Sequence, residues 1–139
     1  MTAANRKNAG TMRARIADSG RVVGYVLDLA SGRATPVSDP AYWSFGPSWS
    51  SSDLIAFFSR KGGNVLNVWT VRADGTQPTQ ITDQPGESRQ PWWSPDGTLA
   101  FSADANVDNV HPAWSQDGHS VVFTSGTEAD GAIYIFDFD

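Results

Sequence analysis

The chain has no cysteine, which excludes a disulfide framework, a thiolate metal site and a cysteine nucleophile. It also lacks a long apolar run. The longest stretches, Leu54–Phe58 and Ala132–Phe136, are five residues each, far short of the roughly 20 that a membrane-crossing helix needs. Charge is sparse at 18%, below the roughly 25% of an average domain, and basic charge stops at Arg89. A net charge of −5 leaves no basic footprint for general nucleic-acid binding. No apolar segment of signal-peptide length follows Arg6 and Lys7, so no secretory leader is expected and the chain as it stands reads as cytoplasmic. From Val22 onward no window sustains a helical period. What the chain does have is 13 glycines, 8 prolines and six tryptophans in 139 residues. That is one turn-rich, aromatic-rich domain, long enough to bury roughly two-thirds of its unfolded surface.

The dominant signal is a motif written three times: Pro47-Ser48-Trp49-Ser50-Ser51-Ser52-Asp53, Pro91-Trp92-Trp93-Ser94-Pro95-Asp96-Gly97 and Pro112-Ala113-Trp114-Ser115-Gln116-Asp117-Gly118. Each copy leads into an alternating strand: Ile55/Phe57, Leu99/Phe101 and Val121/Phe123. Proline supplies a φ near −65° and glycine the left-handed position that closes a tight hairpin. Where Asp53 replaces that glycine, a looser turn is expected. A second unit is an aromatic-led strand, twice followed by a glycine turn: Tyr25–Asp28 before Ser31-Gly32, Trp69–Arg72 before Asp74-Gly75, and Tyr134–Asp137. Strand, turn, strand, loop, strand, turn, strand over roughly 40–45 residues is one propeller blade. The sequence therefore predicts an all-β fold.

Pro-x-Trp-Ser-Pro-Asp-Gly followed by a strand, an aromatic strand, Asp-Gly and an Ile-Thr close resembles the TolB-type β-propeller repeat, a WD40-like unit. Similar blades occur in tricorn-like and prolyl-oligopeptidase-like peptidases, which keep catalysis in a separate domain. The resemblance covers about residues 20–139 and implies an incomplete propeller of three to four antiparallel blades. Residues 1–18 are expected to be a basic, disordered leader. A partial blade is expected over 19–46, a full blade over 47–90, a truncated blade over 91–111 and one lacking its last strand over 112–139. The departures are Ser51-Ser52 for Pro-Asp, Gln116 for Pro, and Arg72 where Asp28 and Asp137 stand. A TolB-like protein with a lost leader would be periplasmic.

A closed six-bladed ring at roughly 42 residues per blade needs about 250 residues, so this chain supplies an arc with bare ends. Three completions follow: a homo-oligomer closing the ring, a larger propeller of which these blades are part, or a compact sandwich. Residues 1–33 carry six basic and two acidic groups, and residues 34–139 carry four basic and thirteen acidic. Such asymmetry reads either as a solvated acidic surface with a basic leader or as opposite charge drawing chain ends together.

No Gly-x-Ser-x-Gly elbow, phosphate loop or His-Glu-x-x-His motif is present, and no cofactor is implied. The aspartates fall at turns, where they brace local backbone. Trp49, Trp93 and Trp114 share one repeat position and read as packing. Trp92 does not, because its equivalents are Ser48 and Ala113. The run Asp104–Asn109 has oxygen ligands at calcium-loop spacing but lacks the turn glycine and the closing glutamate, so no metal site is assigned. The sequence reading is a non-catalytic module that binds a protein or peptide through a mouth of inter-blade loops, with Tyr42, Phe45, Arg89, Trp92, Asp108 and His111 as contributors. The alternatives are a carbohydrate-binding propeller, in which Trp92 and Trp43 stack on sugar rings, and a non-catalytic fragment of a peptidase-like protein.

Overall fold

A computed structural model describes residues 2–5, 10–16, 20–103, 110–125 and 132–137. Among these residues it contains strands and turns and no helix. The first sheet meanders through β1 (Thr2–Asn5), β2 (Gly10–Ile16), β3 (Val22–Asp28) and β4 (Ala34–Pro36). The second runs β5 (Ser44–Trp49), β6 (Leu54–Ser59), β7 (Asn67–Arg72) and β8 (Thr79–Gln80). The third has two strands, β9 (Ser88–Trp93) and β10 (Leu99–Ala103). The fourth has three, β11 (Val110–Trp114), β12 (Ser120–Ser125) and β13 (Ala132–Asp137). All pairings are antiparallel, and the first strands β5, β9 and β11 lie side by side, with β1 next to β5. This is an incomplete β-propeller.

The stretch expected to be an unstructured leader instead carries β1 and β2. Their backbones pair with one another, and β2 pairs in turn with β3 in a register running from Gly10 opposite Asp28 to Ile16 opposite Val22. Backbone pairing, rather than an apolar pattern, makes this a strand, which is why hydropathy alone does not reveal it.

The hairpin turns explain the repeat. In the third sheet Ser94 N–H donates to Thr98 O at 2.8 Å, Thr98 N–H donates to Ser94 Oγ at 2.7 Å, and Gly97 takes a φ of 100°. The Ser115 turn closes the same way one residue later, with Ser120 N–H donating to Ser115 Oγ at 2.9 Å. The glycine-free Ser50 turn is not looser: Ser50 N–H donates to Leu54 O at 2.8 Å and Leu54 N–H donates to Ser50 Oγ at 3.0 Å. Asp53 itself adopts φ 62°, and aspartate is among the few residues that tolerate that region.

The blade close has a physical role as well. Thr82, buried just beyond β8, accepts a hydrogen bond from Val68 N–H at 3.0 Å and donates to Asn67 Oδ1 at 3.1 Å. Ser38 stands in the same relation to the first sheet, accepting from Gly24 N–H at 2.8 Å. A hydroxyl after the fourth strand thus satisfies a backbone donor of the third, which would otherwise be buried unpaired.

The core lies between the first and second sheets. Val37, Ile55, Phe57, Trp69 and Val71 form it, with Val26, Trp49 and Ala73 packed against it. The repeat tryptophans are half-buried rather than enclosed. Both faces of β6 and β7 are covered, because the second sheet has a neighbour on each side, so Leu54–Phe58 forms an unbroken apolar run instead of a clean alternation.

Candidate functional site at the propeller axis

The inner strands β5, β9 and β11 are each interrupted at the same place. The ladders slip between Phe45 and Ser48, between Arg89 and Trp92 and between Val110 and Ala113, in each case around a residue followed by proline. Proline cannot donate to a ladder, so the strand bulges there. Gly46 (φ 57°) and Gln90 (φ 51°) sit in the left-handed region at equivalent positions.

The bulges turn their proline rings onto a shared cavity of about 330 Å³, lined by Gly46 and Pro47 of β5, Phe58 of β6, Gln90, Pro91 and Trp92 of β9, and Pro112 and Ala113 of β11. Among the described lining residues the side chains are almost all apolar, and Gln90 brings the single amide. Size is traded between neighbouring blades. Gly46 leaves room for Phe58, whereas the third sheet has Gln90 and, in the position of Phe58, Ser102. A Cβ at residue 46 would lie 2.4 Å from the Phe58 ring.

Trp92 is 45% exposed on this wall. Its carbonyl accepts the Trp114 indole N–H at 3.2 Å, and Trp93 N–H donates to Ser48 Oγ at 3.0 Å, so hydrogen bonds tie the inner strands across blades. Phe45 does not line the cavity, but its ring lies 5.7 Å from that of Phe58 and 5.8 Å from that of Trp43. Three rings therefore lead from Trp43, 42% exposed, to the cavity wall. Tyr42 is exposed in the loop before β5, away from the lining residues. Arg89 is exposed and paired with Glu87, which also lies 3.9 Å from Arg60. His111 occupies the bulge of β11, and Asp108, with the whole 104–109 run, lies outside the described residues. Of the six residues singled out from sequence, Trp92 is on the cavity wall and Phe45 backs it. Phe58 and the three prolines escaped sequence reading as wall residues, although the recurring x-Pro before each Trp marked the place.

Asp28, Asp53, Asp74, Asp96 and Asp117 fall at one end of the sheets, with Arg33 and Arg72 beside them, while Arg60, Lys61 and Arg89 fall at the end where β5 and β9 begin, together with Asp39 and Glu87. Four of these turn carboxyls are held below the usual carboxylate range. The causes are Ser31 and Ala30 N–H groups for Asp28, and first of all the hydroxyls of Thr76, Ser94 and Ser115 for Asp74, Asp96 and Asp117. At the other end Lys61 pairs with Asp39 at 3.6 Å and lies 5.4 Å from the centre of the Trp69 ring. Among the described residues no group of three or more His, Cys, Asp or Glu stands ready for a metal, and no helix is long and apolar enough to cross a membrane.

No protein-family model matches the chain. Over 63 residues it is 44% identical to the Tol-Pal system protein TolB of Nitratidesulfovibrio vulgaris, a match covering 45% of this chain and 14% of that protein. Over 108 residues it is 24% identical to the uncharacterized peptidase YuxL of Bacillus subtilis, covering 73% of this chain and 16% of that one. A solved structure described as a TolB of Agrobacterium tumefaciens superposes with a TM-score of 0.60 at 25% identity, over 92% of this chain and 44% of that one. TolB of Acinetobacter baumannii superposes with a TM-score of 0.66 at 15% identity, over 93% and 38%, a likeness of fold. The chain spans less than half the length of each of these relatives. Motif, sheet order and superposition agree: these repeats fold as an incomplete β-propeller similar to that of TolB proteins.

Proposed function

We propose that this propeller is a non-catalytic module that captures an extended protein segment in the axial cavity, with Trp92 as the anchor. One observation carries the reading. The repeat needs no aromatic at this position, as Ser48 and Ala113 show, yet a tryptophan sits there 45% exposed on the wall of a 330 Å³ cavity. A half-exposed indole beside proline rings suits an apolar or aromatic side chain of an incoming segment. The ladder from Trp43 through Phe45 to Phe58 extends that surface toward the end bearing Arg60, Lys61 and Arg89, where Tyr42 adds a further exposed ring. A sugar would call for several polar side chains around the stacking ring, and among the described lining residues Gln90 is the one such group, which favours a peptide over a glycan. The absence of catalysis is supported by where the perturbed carboxyls lie. They are tied into hairpin turns at their own ends of the sheets, away from the cavity, and their pKa values are lowered, opposite to what a general acid needs.

The experiment is selection of a displayed random-peptide library on the intact chain, followed by calorimetry of the enriched peptides. Trp92→Ala is expected to weaken them at least about tenfold, with Trp43→Ala weaker in effect. Enrichment of peptides indifferent to Trp92→Ala, or a glycan array giving binding that peptides do not, contradicts the reading.

A further inference from the structure

The third sheet stops at two strands in the middle of the chain. Between β6 and β9 the chain runs through residues 60–87, enough for β7 and β8, whereas residues 104–109 alone separate β10 from β11. Among the described residues β10 has β9 as its one strand neighbour. Ser94 N–H donates to Thr98 O, and from there the backbone groups of β10 point alternately away from β9 and toward it. The N–H and C=O groups of Leu99, Phe101 and Ala103 lie on the open side. The corresponding residues of β6, Ile55, Phe57 and Ser59, stand opposite Val71, Trp69 and Asn67 of β7.

The neighbouring sheets specify what this edge takes. Strands β6 and β12, the counterparts of β10, each pair with a strand that sets an aromatic residue opposite a phenylalanine: Trp69 opposite Phe57, and Tyr134 opposite Phe123. Phe101 is the third such phenylalanine. In the core Trp69 shares a cluster with Val37, which directly precedes Ser38, the closing hydroxyl of the first sheet. Ile81 directly precedes Thr82, the closing hydroxyl of the second sheet, and so repeats the place of Val37 one blade on. Gln80 stands opposite Trp69, so Ile81, the next residue, lies on the other face, toward the third sheet. Val37 is 5% exposed, whereas Ile81, with no aromatic against it, is 45% exposed. On the far side of β10 a groove of about 330 Å³ lies between Ala100 and Ser102 and the fourth-sheet residues Val121 and Phe123. Charge adds direction. A Cβ on Gly118 would lie 3.5 Å from Pro95 Cδ, so the turns of Asp96 and Asp117 adjoin at the end where β10 begins. His119 lies beside Asp117, and no Lys or Arg follows Arg89. A strand antiparallel to β10 would finish there, as β7 finishes in Arg72 opposite Leu54.

We propose that the open edge of β10 captures an extended segment of a partner protein as an antiparallel third strand, with an aromatic residue opposite Phe101, apolar residues on either side of it, and a Lys or Arg at its end beside Asp96 and Asp117. The aromatic ring packs on Ile81, and the residues opposite Ala100 and Ser102 cover the groove. Main-chain hydrogen bonds to the edge supply affinity, and the alternating side chains supply specificity. The chain's own Val68-Trp69-Thr70-Val71-Arg72 carries this pattern. The inference does not rest on the axial cavity as a peptide site.

The probe is a synthetic peptide with the β7 sequence, Asn-Val-Trp-Thr-Val-Arg, titrated into the full ¹⁵N-labelled chain. Saturable binding is expected, with amide exchange at Leu99, Phe101 and Ala103 slowed at least about tenfold in the complex. No slowing at these three amides with millimolar peptide overturns the proposal. So does a response confined to the Trp92 indole, which would assign the peptide to the axial cavity. Protection of the same amides that grows with protein concentration and needs no peptide would mean that a second copy takes the edge, which also overturns it. A peptide N-methylated at the Trp and the second Val cannot donate to β10 and is expected not to bind; undiminished binding overturns strand addition. Ile81→Ser alters an exposed side chain, so the fold is retained, and the peptide should bind about tenfold more weakly. Unchanged affinity overturns the seat assigned to the aromatic ring. A peptide ending in Glu in place of Arg should bind less tightly, by a margin that shrinks as NaCl rises from about 0.05 to 0.5 M, and equal affinity overturns the role of Asp96 and Asp117.

Discussion

Gly46→Ala is the sharpest test of the bulge that shapes the axial cavity. Residue 46 has φ 57°, and an added Cβ would lie 2.4 Å from Phe58 Cε1 and 3.0 Å from Cδ1. Holding a side chain in the left-handed region costs about 1 kcal/mol. Forcing the half-buried ring aside adds about 1–3 kcal/mol of overpacking. Together the loss is about 2–4 kcal/mol, or roughly 6–16 °C in Tm for a domain of this size. Gly32→Ala is the control. It shares a positive φ of 71° but has nothing within 4 Å, so it should lose only the conformational part, about 1 kcal/mol. Adding Phe58→Ser, which moves the pair toward the larger inner residue and small partner that the third sheet has in Gln90 and Ser102, should cost less in the Gly46→Ala background than in wild type. A coupling of at least about 1 kcal/mol in the double-mutant cycle is expected from urea denaturation followed by tryptophan fluorescence. Equal losses for Gly46→Ala and Gly32→Ala, with no coupling to Phe58, would refute the close approach of the bulge to that ring.

Thr82→Val removes the hydroxyl that serves both Val68 N–H and Asn67; about 1–3 kcal/mol of stability should be lost, and Val68 amide exchange should accelerate. Ser94→Ala deletes the acceptor for Thr98 N–H and should cost about 1 kcal/mol by thermal melting. Acidification should destabilise the fold. The turn carboxyls have folded pKa values below their unfolded ones, so their contribution is complete above about pH 4 and is lost as the pH falls through the folded values. Asp96→Asn and Asp117→Asn should flatten the acid limb of a Tm–pH profile, and unchanged limbs would show that these turns do not carry it.

Much of the fold was written in the spacing of Trp and Pro. Three copies of one hairpin cannot be satisfied by a single sheet, and the leading serines Ser50, Ser94 and Ser115 accept a backbone hydrogen bond that recurs from copy to copy. The turn at Ser50 shows where residue-type reasoning falls short, because Asp53 adopts the glycine conformation that its identity only weakly advertises. β1 and β2 were hidden for another reason: their strand character comes from pairing, β1 with β2 and β2 with β3, rather than from an apolar period of their own. The cavity was half legible. Trp92 stood out because it broke the repeat, and the x-Pro positions stood out because they kept it. That these prolines create bulges, and that bulges from three sheets converge on one space, depends on the packing of separate sheets, which no local pattern encodes. Phe58 belonged to an apolar run that reads as core, and only the missing side chain at Gly46 gives it a place on the wall.

The claim at the centre of this account is that a partner segment enters the axial cavity beside Trp92. The six indole N–H groups are natural reporters in a ¹⁵N correlation spectrum, assigned by single Trp→Phe substitutions. On titration with a selected peptide the Trp92 indole should shift with the bound fraction, while Trp69, 8% exposed between the first and second sheets, should stay still. A titration that moves Trp43 or Trp69 and leaves Trp92 unchanged would contradict it.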